Sequence, residues 1–113
     1  MKSKILALSK NEEFKNLLKG KKISNKYVTI FFGQLKNKNI NKLNISFVAK
    51  KKIGNAVKRN KIKRRLRNIT NEAVKKVAIK FRYSYLVIAK PTMLNNDYTN
   101  IKETIIQNFE KIK

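Results

Sequence analysis

The sequence predicts a small α/β (α+β) sandwich, in which a mixed sheet is packed with helices in the chain order α-β-β-α-β-α. Three observations predict it. Apolar residues recur at helical spacing in three segments and alternate or run together in three others. Glycine, proline and capping side chains mark the junctions. The 113 residues, 42% of them apolar, suffice for a single domain, residues 1–113, with a real core.

Ser9-Lys10-Asn11-Glu12 reads as a capping box and Gly20 as a stop, so a first helix is predicted over about residues 10–19. Its Phe14, Leu17 and Leu18 share one face by their i, i+3, i+4 spacing. Tyr27 to Phe32 is β-branched and aromatic and reads as a strand, with Tyr27, Thr29 and Phe31 on one side and Val28, Ile30 and Phe32 on the other. Gly33 ends it. Gln34 to Lys42 is a polar, Asn-rich loop expected to be mobile. In the next strand, Leu43 to Ala49, Leu43, Ile45 and Phe47 alternate with Asn44 and Ser46, and the loop length suggests an antiparallel pair with the strand before it. Asn55 reads as the N-cap of a long helix, with Ile62, Leu66, Ile69, Ala73 and Val77 at helical spacing out to about Lys80. Tyr83 to Ala89 is a third strand, closed by Lys90-Pro91, and is expected to share a sheet with the strand before the long helix. A last helix is predicted from about Asn95 to Asp97 onward, with Tyr98, Ile101, Ile105, Phe109 and Ile112 on one face.

Composition excludes more than it includes. The chain has no Cys and no His, so it has no material for a zinc finger, a thiol nucleophile or an imidazole base. Asp97 is the only Asp and the five Glu are scattered, which makes a two-metal nuclease site hard to assemble. Apolar runs such as Leu86-Val87-Ile88-Ala89 fall far short of the roughly 20 residues of a membrane span. A soluble cytoplasmic protein with no membrane partner is therefore expected. Against six carboxylates stand 29 Lys plus Arg, a formal charge of +23, which calls for a polyanionic partner.

The charge is not evenly spread. Lys (24), Asn (15) and Ile (14) dominate the composition, as a biased genome would make them, yet four of the five Arg (Arg59, Arg64, Arg65, Arg67) fall within nine residues. From Lys50 to Arg67 ten of eighteen residues are basic and none is acidic. A merely solvated face interleaves Glu with Lys for i, i+4 pairing, whereas this segment repels itself unless phosphates neutralise it. With Ile62 set to zero, Arg59, Lys63, Arg67, Asn60 and Arg64 fall at about 60°, 100°, 140°, 160° and 200° around the helix. Asn60, a poor helix former amid the cations, carries an amide able to bond a base edge, a phosphate or a hydrated ion.

The run Lys51-Lys52-Ile53-Gly54-Asn55-Ala56-Val57-Lys58-Arg59-Asn60-Lys61-Ile62-Lys63-Arg64 resembles the signature of the bacterial ribonuclease P protein subunit. The likeness extends to the Lys-Asn-Glu-Glu-Phe of the first helix and the Ile-Ala-Lys-Pro strand end, and so covers most of the chain. The resemblance implies a left-handed β-α-β crossover through the basic helix, against the usual hand. It implies a protein that assists a catalytic RNA in removing the five-prime leader of precursor tRNA, with Mg²⁺ bound mainly by RNA, no catalytic residue in the protein and no DNA partner. Residue by residue, it places Arg59, Asn60, Lys61, Lys63, Arg64 and Arg67 against the catalytic RNA, with Lys51, Lys52, Gly54 and Asn55 in the loop entering that helix. It places Phe14, Leu18, Phe31 and Lys90 at a cleft for the leader, where bases could stack; Phe14 and Phe31 fit ordinary core packing as well. Two positions depart from the family pattern. Lys61 stands where a second Arg is usual, exchanging a bidentate contact for a point charge. Leu18 stands where an aromatic often occurs. Charge alone would equally suit a structural RNA-binding protein such as a ribosomal protein.

Overall fold

The computed structural model describes residues 5–6, 11–34, 42–76, 79, 83–94 and 97–112. Its elements are β1 (Ile5–Leu6), α1 (Asn11–Leu18), β2 (Lys21–Ser24), β3 (Val28–Gly33), β4 (Leu43–Val48), α2 (Ala56–Lys76), β5 (Ser84–Ala89) and α3 (Tyr98–Lys111). Short 3-10 turns, Lys51–Ile53 and Pro91–Leu94, precede α2 and follow β5. The strands form one mixed sheet in the order β1-β4-β5-β3-β2.

The predicted antiparallel pairing of the second and third apolar strands, β3 and β4, is not what forms. β5 lies between them, parallel to β4 from Asn44↔Ser84 to Val48↔Ile88 and antiparallel to β3 from Val28↔Ala89 to Gly33↔Ser84. The reason is the composition of β5. Tyr85, Leu86 and Val87 are buried on both faces, and a strand apolar on both sides belongs at the centre of a sheet covered on both sides. The strands flanking the basic helix do share the sheet, as expected.

Two strands escaped the sequence reading. β2 follows α1 almost at once and pairs with β3 from Lys21↔Phe32 to Ser24↔Thr29. Only Ile23 of its four residues is even half-buried, so it carries no alternating apolar signal. It is an edge strand whose lysines discourage further pairing. The turn into β3 is built by Asn25, whose Oδ1 accepts from Tyr27 N (2.7 Å) and Val28 N (2.9 Å). β1 adds two residues alongside Leu43 and Asn44.

The helices follow their signals closely. Asn55 caps α2, its Oδ1 accepting from Lys58 N at 3.0 Å, and Asp97 caps α3, its Oδ1 accepting from Asn100 N at 3.2 Å. Gly20 follows α1, its N donating to Leu17 O at 3.0 Å, at a place where a side chain would be crowded: a Cβ there would sit 3.2 Å from Phe32 O and 3.4 Å from Leu17 O. Ser9 of the predicted capping box, residues 35–41 of the predicted loop, Val77 and Lys80 at the expected end of α2, and Asn95 lie outside the described residues.

α2 and α3 cover one face of the sheet. Ile62, Leu66, Ile69 and Ala73 of α2 and Ile101, Ile105 and Phe109 of α3 meet Val28, Ile30, Leu43, Ile45, Tyr85 and Val87. An edge-to-face series, Phe32–Tyr83 at 5.6 Å, Tyr83–Tyr85 at 6.4 Å and Tyr85–Phe109 at 5.8 Å, runs from the sheet into α3. Between the two helices Glu72 meets Lys102 at 3.4 Å. α1 lies on the other face, where Leu17 and Leu86 form a small second cluster with Phe14, Phe31, Val48 and Ile88 around them.

Candidate nucleic-acid interface

The basic segment begins in the turn before α2. Ile53, 5% exposed, pins the 3-10 turn to the core while Lys51 and Lys52 stay exposed. Gly54 N donates to Lys51 O at 3.2 Å. A Cβ on Gly54 would lie 2.9 Å from Lys58 Cδ, so the glycine makes room for the first cation of the helix. No acidic residue stands in the first turn of α2, which leaves its positive dipole end unopposed by a carboxylate.

Along α2 the structure brings Asn60, Lys63, Arg64 and Arg67 together on an exposed stripe opposite the buried Ile62 and Leu66. Arg59 borders that stripe half-buried, and its Nε is shielded from solvent with no hydrogen-bond partner among the described residues. Lys61 is exposed but sits on the other flank of the helix, about 100° from Ile62 in the opposite sense, beside Lys58 and Arg65. Lys58 and Arg65 are not among the residues that the family resemblance places against RNA. Their 58, 61, 65 spacing on one flank was the available signal.

The predicted cleft residues divide. Phe14 and Phe31 are half-buried together on the α1 face of the sheet, and Lys22 Nζ stands 5.8 Å from the Phe31 ring centroid, a cation beside an aromatic face of the kind that receives a stacked base. Leu18 is 48% exposed, one helical turn beyond Phe14 on α1, while its neighbour Leu17 takes the buried place. Lys90 is a fastening: its N donates to Tyr27 O at 2.8 Å and its Nζ to Ser24 Oγ at 2.8 Å and to Asn25 O, tying the end of β5 to the β2–β3 turn.

No three His, Cys, Asp or Glu among the described residues come together as a group that could hold a metal ion. No helix of the described residues is long and apolar enough to cross a membrane.

The sequence profile of the family described as Ribonuclease P matches residues 3–113. The chain belongs to the ribonuclease P protein family. It is similar to the ribonuclease P protein component of Carboxydothermus hydrogenoformans, 35% identical over 103 residues that cover 88% of this chain and 84% of the relative. The same component from Bacillus pumilus is 35% identical over 105 residues, 92% of this chain and 85% of the relative. The solved RNase P protein of Staphylococcus aureus matches with a TM-score of 0.76 and 26% identity over 94% of this chain and 95% of that one. The RNase P protein of Thermotoga maritima shares the fold, with a TM-score of 0.78 at 22% identity over 96% of this chain and 98% of that one. Family membership explains why the Lys51 to Arg64 run resembled the ribonuclease P signature, and it makes RNA the polyanion that the charge called for.

Proposed function

We propose that this chain is the protein subunit of ribonuclease P and assists a catalytic RNA in removing the five-prime leader from precursor tRNA in the cytoplasm. The observation that carries the reading is the exposed stripe of Asn60, Lys63, Arg64 and Arg67, bordered by the shielded Arg59, on a helix that connects two parallel strands and packs on the face of their sheet. Such a stripe neutralises RNA phosphates without itself rearranging. Lys51 and Lys52 extend it through the loop, and Asn55 and Gly54 shape that loop. Phe14 and Phe31 offer a second surface, on the opposite face of the sheet, where leader bases stack, with Lys22 supplying a nearby charge.

In this reading no protein side chain makes or breaks a bond. The chain supplies positive charge beside the reacting RNA, which lowers the demand for Mg²⁺, and the ion itself is held by RNA. The deciding experiment incubates the purified chain and Mg²⁺ with precursor tRNA, with and without the catalytic RNA. Precursor stays intact with protein alone and is cleaved when the RNA is added. RNA-free cleavage that follows the protein through purification would overturn the reading.

A further inference from the structure

α2 carries a second cationic flank that the stripe does not use. Lys58, Lys61, Ile62 and Arg65 follow the i, i+3, i+4, i+7 spacing that an amphipathic helix ordinarily reserves for apolar contact. Three of the four are cations. They line a cavity of about 230 Å³ whose remaining lining is Met93 and Leu94. Ile62 and Met93 are fully buried and form an apolar floor, while Leu94 is 40% exposed at the rim. Among the described residues no carboxylate pairs with Lys58, Lys61 or Arg65, and Arg65 is half-buried.

An apolar floor ringed by uncompensated cations calls for a ligand with an apolar body and an anionic group. The cavity is smaller than the roughly 300 Å³ at which pockets for drug-sized ligands begin, so it fits a fragment of about one base. It is also preorganised. Met93 N donates to Lys90 O at 2.9 Å, Thr92 Oγ1 donates to Lys26 O at 2.5 Å, and Lys90 is itself fastened to the β2–β3 turn. A rigid floor lowers the cost of ordering on binding.

We propose that this cavity receives one unpaired nucleotide of the RNA bound along α2. Its base lies against Ile62, Met93 and Leu94 with the Arg65 guanidinium over its plane, and its phosphate lies between Lys58 and Lys61. Arginine planes and apolar side chains receive splayed bases in this way, and RNA is read at such unstacked positions. The inference rests on the RNA-binding reading for its occupant and adds a contact on the flank of α2 that faces away from Arg67.

The test follows the methyl resonance of Met93, one of only two methionines, in the full chain during titrations with uridine 5′-monophosphate, ribose 5-phosphate and inorganic phosphate. The nucleotide moves the Met93 methyl, and ribose 5-phosphate binds there about tenfold more weakly, which corresponds to about 1.4 kcal/mol. Arg65→Ala and Leu94→Asp each weaken the nucleotide at Met93 by about tenfold or more. Arg67→Ala, on the other stripe, leaves it within about twofold. Equal binding of all three probes would make this a bare phosphate site and overturn the proposal. So would a silent Met93 methyl while amides from Asn60 to Arg67 respond. A silent methyl together with intact RNA-dependent cleavage of precursor tRNA removes the pocket alone and leaves the ribonuclease P reading standing.

Discussion

Phe31 tests the leader surface at the level of a single side chain. It is half-buried beside Phe14 and within reach of Lys22, so Phe31→Ala is expected to cost leader-bearing precursor about 1–3 kcal/mol of affinity and mature tRNA much less. Equal losses for both, with a lower melting temperature, would mean that the ring only packs. Asn55 gives a separate expectation: Asn55→Ala removes the acceptor for Lys58 N and is expected to lower stability by about 1 kcal/mol in chemical denaturation. Residues differ in how openly they declare themselves. Asn55 and Asp97 were legible as caps because a cap and its partner lie within three residues. Lys90 was not, because its partners Ser24 and Asn25 are 66 and 65 positions away and only the sheet brings them together.

At the level of the element, α2 is expected to act as an electrolyte surface. Arg64→Ala and Arg67→Ala should each weaken binding to the catalytic RNA and reduce the slope of log affinity against log salt by about one. Lys102→Ala, on α3 and paired with Glu72, should leave the slope unchanged; an equal effect from Lys102 would show that the stripe is not the main RNA contact. The three helices were legible because each declares itself within its own length. Pairing of strands was not, since the loop between β3 and β4 is short enough for a hairpin and only the two-sided burial of β5 decides otherwise. β2 was missed for the same physical reason that it sits at an edge: its exposed lysines leave Ile23 without alternating apolar companions. The stripe was read from periodicity, but the Lys58–Lys61–Arg65 flank needed Met93 and Leu94 opposite it before it became a cavity.

For the whole molecule, a formal charge of +23 on 113 residues opposes compaction, and six carboxylates are too few to relieve it. Ligands that bind only the folded chain should therefore stabilise it, by about 2.7 kcal/mol at a hundredfold excess over Kd. Circular dichroism at matched ionic strength should show pyrophosphate raising the melting temperature well beyond sodium chloride. Identical effects would mean plain screening without discrete anion sites. The central position of β5 bears on synthesis as well. A ribosome delivers β2, β3, β4 and all of α2 before Ser84 emerges, and until then β3 and β4 have no strand between them and α2 has no finished sheet to cover. A nascent chain halted at residue 83 should be as protease-sensitive as an unfolded one, whereas the completed chain resists. The fold is therefore assembled late in translation, and the cationic helix leaves the ribosome, itself rich in RNA, before its own protein core can hold it.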